Sequence, residues 1–292
     1  MGSPRPQFTP RRLALDFAPM TAPAAPPAER RLRIGIFDSG VGGLSILRAI
    51  RAALPHAALL YVADSGHAPY GDRDEDFVRG RTVRIADFLR AQGAQLLVVA
   101  CNTATAAAVA ALRARHPDLP VVGVEPGLKP ALQRSRNQRI GVLATTGTLA
   151  SEKFRLLAAA HAADAFLLTQ PCPGLADAIE VADADDGDLA ARVAQWAAPL
   201  REAGVDVAVL GCTHYAFAAD LFAAALPGVR LIDTADAVAR QALRLARGLQ
   251  RGEAVPAGAG PLEAWSTGDP ATLQRFARRW LAIELAVAPL SL

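Results

Sequence analysis

Two stretches of the chain repeat each other without a gap. Arg90–Thr103 reads RAQGAQLLVVACNT, and Arg201–His214, 111 residues on, reads REAGVDVAVLGCTH. Each is a helix end, a glycine, an apolar strand and then a cysteine followed by polar residues. A second pair supports the first: RIGIFDSGVGGLS begins at Arg33 and RIGVLATTGTLAS at Arg139, 106 residues later. Two nearly equal offsets predict a chain of two related α/β halves. Each half then supplies one cysteine at the end of a strand, Cys101 from the first and Cys212 from the second.

The rest of the pattern agrees. Short apolar runs at Leu32–Phe37, Leu59–Ala63, Leu96–Ala100, Val121–Val124, Ile140–Leu143, Ala165–Thr169, Val207–Leu210 and Leu231–Ile232 alternate with stretches of helical period such as Phe77–Gln92 and Leu189–Ala203. Continuous apolar strands separated by helices predict mainly parallel sheets covered on both faces. The expected fold class is α/β, with two similar domains related by a pseudo-twofold axis. A first, discontinuous domain would hold residues 31–127 and 235–285, and a second residues 128–234. Ligands of such sheets bind beyond the carboxyl ends of the strands. Cys101, Cys212, Asp38, Ser39, Asp64, Thr145, Thr146 and Asp233 all fall there, which predicts a site in the cleft between the domains.

Composition narrows the function. The net charge is only +3, charged residues make up 20% and no Lys/Arg block occurs, so nothing tracks a nucleic-acid backbone. Aromatic residues, at 5%, are too few for a base-stacking surface. No stretch approaches the ~20 apolar residues that span a bilayer, and no membrane role is expected. The three cysteines, Cys101, Cys172 and Cys212, are widely spaced and odd in number, which reads as reduced thiols and a cytoplasmic location. Residues 1–30, rich in Pro, Ala and Arg, read as a disordered extension. Arg11-Arg12 suggests a twin-arginine signal, but Asp16 interrupts the apolar core that such a signal requires, and Met20 offers a second start.

Cys101 and Cys212 each follow a strand and precede a polar turn into a helix, where the positive helix end lowers a thiol pKa. Such a group serves as thiolate base or thiol acid. Two of them on opposite faces of one carbon form a symmetric proton exchanger, with no cofactor required. Three other readings use the same residues. Cys212-x-His214 with Cys101 falls short of the four ligands of a structural zinc site. His214 could activate either cysteine for hydrolysis. The turn Asp38–Gly43, DSGVGG, could cradle a phosphate with Asp64 on a ribose, although Ser45 stands where the third glycine of a dinucleotide fingerprint belongs. For an amino-acid ligand, Ser39, Asn102, Thr103, Thr146 and Thr213 offer hydroxyls, an amide and backbone N–H groups. Asp38 could contact an ammonium group or assist Cys101, and His214 could assist Cys212. The turn His67–Gly71 could close over the ligand, and Cys172 reads as structural.

These residues resemble the glutamate racemases of the aspartate/glutamate racemase superfamily. The resemblance covers most of residues 33 to about 282 through IGIFDSGVGGLSIL (34–47), VADSGHAPYG (62–71), VVACNTATA (98–106), GVEPGLKPA (123–131), IGVLATTGT (140–148), LGCTHY (210–215) and WSTGDP (265–270). It implies two α/β domains, no pyridoxal phosphate or metal, and Cys101 and Cys212 as the proton donors and acceptors. By this analogy Cys101 acts on D-glutamate and Cys212 on L-glutamate. Substrate contacts are implied for Asp38, Ser39, Tyr70, Gly71, Asn102, Thr103, Thr213 and His214, and Glu180 is the candidate glutamate supporting His214. A bacterial cytoplasmic role supplying D-glutamate to peptidoglycan is implied too. Ala216-Phe217 stand where the family commonly has Pro-Leu. The alternatives are a racemase of this fold acting on aspartate or another acidic amino acid, or a racemase-like protein that binds a partner such as a topoisomerase. A homodimer is admitted, but nothing in the chain demands it.

Overall fold

The structure, a computed structural model, describes residues 31–182, 187–250 and 257–292. The expected N-terminal extension lies outside the described residues. Among the described residues ten strands occur in chain order: β1 (Arg33–Asp38), β2 (Ala58–Ala63), β3 (Leu96–Val99), β4 (Val121–Gly123), β5 (Arg139–Ala144), β6 (Phe166–Pro171), β7 (Val207–Leu210), β8 (Arg230–Ile232), β9 (Leu262–Ser266) and β10 (Val287–Pro289). They form two sheets, ordered β10-β9-β2-β1-β3-β4 and β6-β5-β7-β8, and every pairing is parallel.

The strands are parallel because their sequences leave no face for water. β2 (ALLYVA), β3 (LLVV) and β7 (VAVL) are buried at every residue, as strands covered on both sides by helices must be. The covering helices are amphipathic. Ala235–Leu249 buries Val238, Ala239, Ala242 and Ala246, one stripe of a 3.6-residue period, and packs on Leu44–Ala53. Small alanines in that stripe let the two helices approach closely.

The repeat read from the sequence is present in the topology. The order β2-β1-β3-β4 in one sheet matches β6-β5-β7-β8 in the other. Register repeats as well: Ile34 pairs with Leu96, and Ile140 with Val207, which are the positions that the offsets of 106 and 111 carry onto each other. The halves are joined by one apolar cluster that runs from Ile36, Val41 and Tyr61 to Ile179, Val193, Leu210 and Tyr215.

The sequence reading did not anticipate β9 and β10. β9 enters the first sheet beside β2, and β10 closes its edge. The C-terminal segment therefore returns strands as well as a helix, Pro270–Leu281, to the first sheet. Among the described residues, no helix is long and apolar enough to cross a membrane.

Candidate active site

In both sheets the first strand feeds its neighbours on opposite sides, β2 and β3 about β1, and β6 and β7 about β5. This reversal opens a crevice at the carboxyl end of the sheet. Cys101 stands in the first crevice. It caps the helix Asn102–Arg115, where its sulfur accepts the Ala104 N–H at 3.5 Å and its thiol donates to Ser39 Oγ at 3.6 Å. Cys212 stands in the second, ahead of the tight turn Thr213–Ala218, with its sulfur 3.7 Å from His214 Nδ1.

Both cysteines line one cavity of about 30 Å³. Ser39, Tyr70, Gly71, Asn102, Thr103, Thr213 and His214, all candidates on sequence, line it too. Two expected residues are placed differently. Asp38 is fully buried and does not line the cavity; it is held by the Ser39 N–H at 2.7 Å and by Thr213 Oγ1 at 3.0 Å. Thr146 opens the helix Thr146–Ala150 and is exposed, while Thr145 and Thr148 on either side line the cavity. Thr145 Oγ1 caps that helix and meets Thr103 Oγ1 from the first half at 3.0 Å. Asp233 caps the Ala235 N–H and lies outside the cavity. Asp177, which sequence reasoning missed, lines the cavity one helical turn before Glu180.

Burial sets the electrostatics. It pushes the Cys101 thiol up to about 12, with the nearby Asp38 carboxylate adding to the effect. The expected lowering by a helix N-terminus is thereby reversed: the Ala104 N–H and the Ser39 hydroxyl do favour a thiolate, but desolvation outweighs them. Burial also raises Asp38 against the opposing pull of His214. His214 is fully enclosed, which alone would lower it, yet Cys212 and Glu180 carry it well above its ordinary value. Glu180 Oε1 lies 2.7 Å from His214 Nε2 and accepts the Val41 N–H at 3.1 Å. These bonds hold its carboxyl below the ordinary value in spite of burial. The result is a buried imidazolium–carboxylate pair with the Cys212 sulfur at the other ring nitrogen.

Asn102 has neither amide atom hydrogen-bonded, although both are buried. An unsatisfied buried group costs about 1–3 kcal/mol, so the cavity wall presents a donor and an acceptor for a polar ligand. The glycine turn does not cradle a phosphate. A Cβ on Gly40 would meet Glu180 Oε1 at 2.1 Å, and one on Gly42 would meet His214 Nδ1 at 2.4 Å. The glycines are there because the second half packs directly on them. Asp64 is likewise unavailable to a ribose, since Arg81, Tyr70 and Thr267 occupy its carboxylate. Cys172 is buried at the edge of the core, as a structural cysteine should be, donating to the Gln170 carbonyl at 3.4 Å.

A family model described as Asp/Glu/Hydantoin racemase matches residues 44–242. The glutamate racemase of Pseudomonas putida (strain W619) is 49% identical over 251 residues, which is 85% of this chain and 94% of that protein. The crystal structure of a glutamate racemase isoform from Bacillus anthracis superposes with a TM-score of 0.79 at 31% identity, covering 89% of this chain and 97% of that one. Glutamate racemase from Escherichia coli, crystallised with L-glutamate and the activator UDP-MurNAc-ala, gives a TM-score of 0.77 at 30% identity over 90% of this chain and 99% of that one. On sequence, fold and topology together, the chain belongs to the glutamate racemases of the Asp/Glu/Hydantoin racemase family.

Proposed function

We propose that the protein interconverts L- and D-glutamate by a two-thiol proton exchange at Cα. The observation that carries this reading is that Cys101 and Cys212, at matching strand ends of two sheets of like topology, line the same cavity. One thiolate takes the α-proton and becomes a thiol. The other thiol returns a proton to the opposite face and becomes a thiolate. In the reverse direction the roles exchange, with Cys101 acting on D-glutamate and Cys212 on L-glutamate. Family membership and the L-glutamate held by the Escherichia coli relative support glutamate as the substrate.

The remaining side chains take their roles from their placement. Ser39, Asn102, Thr103, Thr145, Thr148 and Thr213 supply uncharged donors to the two carboxylates. Asp38 sits beside Cys101, and an incoming α-ammonium group would offset the burial and the negative charge that hold that thiol protonated. His214, fixed by Glu180, passes protons to and from Cys212. The two halves act as lobes, the described residues of 31–127 and of 235–292 in one and those of 128–234 in the other. In a bacterial cytoplasm the product D-glutamate would feed peptidoglycan.

Incubation with L-glutamate in deuterated water, with no added cofactor, is expected to bring optical rotation to zero while α-deuterium enters the product. Exchange with aspartate but not glutamate would keep the mechanism and change the substrate. No exchange with any acidic amino acid would sink the racemase reading. Gly42→Ala tests the packing of the lobes. Its Cβ lies within 2.4 Å of His214 Nδ1 and 2.6 Å of Thr213 Oγ1, so the residues flanking Cys212 must shift. Misplacement on the scale of an ångström costs about 10²-fold, and kcat/KM should fall by about that much, with a drop in melting temperature of the size that about 1–3 kcal/mol of overpacking gives.

A further inference from the structure

Two of the sequence motifs, VADSGHAPYG (62–71) and WSTGDP (265–270), meet at a single carboxylate. Asp64 follows β2 and is fully buried. Arg81 Nη2 donates to its Oδ1 at 2.8 Å and Arg81 Nε to its Oδ2 at 3.0 Å. Thr267, just after β9, donates from Oγ1 to Oδ1 at 2.7 Å, and the Tyr70 hydroxyl donates to Oδ2. Burial alone would raise this carboxyl, but these donors hold it below its ordinary value, so it is a fixed anion. Tyr70 therefore lines the cavity with its hydroxyl committed to Asp64.

The same turn is a contact between the lobes. A Cβ on Gly71 would meet Thr145 Cβ at 2.9 Å, and a Cβ on Gly147 would meet the Gly71 carbonyl oxygen at 2.8 Å. There is no slack there, so any movement of Tyr70-Gly71 moves the helix Thr146–Ala150 or opens the seam beside it. The C-terminal segment is tied to the same point twice: Thr267 Oγ1 also accepts the Gly66 N–H at 3.1 Å, and Arg81 Nη1 donates to the Leu292 carbonyl at 2.9 Å.

We propose that Asp64, with Arg81 and Thr267, is a positioning residue that fixes the Tyr70-Gly71 turn against the second lobe and so sets the separation of the two thiols. The proposal rests on the two-thiol reading above. It assigns the C-terminal strands a part in the reaction, because Thr267 ties them to Asp64, whose other partner Tyr70 lines the cavity. If the wall loosens, the far thiol loses its reach to Cα sooner than the near thiol, which still takes the α-proton, exchanges it with solvent and returns a deuteron to the same face.

The test separates inversion from exchange. Wild type, Asp64→Asn, Arg81→Lys and Thr267→Val are each given L-glutamate in deuterated water. The fraction inverted and the α-deuterium in recovered L-glutamate are then measured together with the melting temperature. The ratio of deuterium in recovered substrate to inverted product is expected to rise about 10-fold in Asp64→Asn, on the scale of a misplaced reacting group. It should rise less, but in the same direction, in Thr267→Val, with Arg81→Lys between the two. Loss of folded protein would lower inversion and exchange in proportion and leave the ratio at the wild-type value; an unchanged ratio in folded variants overturns the proposal. Where Asp64→Asn does not fold, Thr267→Val decides by the same criterion. A wild type that leaves glutamate untouched sinks the two-thiol reading and this proposal together, whereas an active wild type with unmoved ratios sinks only the latter.

Discussion

Serine at position 101 or at position 212 is expected to lower racemisation in both directions by about 10²–10⁴-fold, the range contributed by a positioned acid–base group. Each direction needs one thiol to take a proton and the other to give one, so either substitution stops both. The residual exchange distinguishes the two variants. With Cys212→Ser, Cys101 still faces the α-proton of the D-enantiomer, so D-glutamate should continue to take up α-deuterium without inverting while L-glutamate does not. Cys101→Ser should show the opposite preference. Mass spectrometry of each recovered enantiomer checks this. A variant that inverts at the wild-type rate, or a residual exchange indifferent to the hand of the substrate, would remove the two-thiol mechanism.

The second large effect concerns stability. His214 and Glu180 form an ion pair whose side chains are 6% and 17% exposed, so removing one partner strands the other. Glu180→Ala is expected to cost about 3 kcal/mol near pH 6, in the range measured for broken buried pairs, as read by chemical denaturation. The pH dependence has two limbs. Glu180 sits below its ordinary value of 4.5 in the folded protein, so its contribution is present above that pH and disappears as pH falls through the folded value. His214 sits well above 6.5, so its contribution is full below 6.5 and disappears as pH rises through the folded value. The gap between wild type and variant should therefore be widest between about pH 4.5 and 6.5 and narrow on both sides, as pH falls through the folded value of Glu180 and as it rises through that of His214. A gap that stays constant with pH would mean that the pair is not ionised.

Much of the fold was legible in the chain because the informative strands are the most apolar ones. β1, β3, β5 and β7 are apolar runs rich in Val, Leu and Ile and lead into the residues that line the cleft. Their repetition located both cysteines before any geometry was known. β9 was harder to see, since Glu263 interrupts LEAWS, and β10 is three residues ending in a proline. The threonines of TTGT show a different limit. Only the start of the helix decides which hydroxyl turns inward, and Thr145 folds back onto the Thr148 N–H as its cap. The T-x-x-T spacing carried that signal. The spacing of Asp177 and Glu180 by three residues, which puts both on one helix face, could likewise have placed Asp177 at the cavity. Depth could not be read at all. The rise of the Cys101 pKa comes from burial by residues distant in sequence, and local position argued for the opposite sign.

The two thiols are unlike, although the folds that present them are alike. Cys101 answers to a hydroxyl and a backbone N–H, and Cys212 to an imidazole held by a carboxylate. Enantiomers in water have equal free energy, so the equilibrium constant of the reaction is unity whatever the enzyme does. The specificity constants of the forward and reverse reactions must then be identical. Chemical dissimilarity between the two faces cannot make one hand the better substrate by that measure. It can act only by moving kcat and KM together, so that the hand which is turned over faster is also the one with the higher KM. A duplicated fold that has diverged at its two strand ends is thus free to set the substrate concentration at which each direction saturates, while the balance it reaches stays fixed by symmetry.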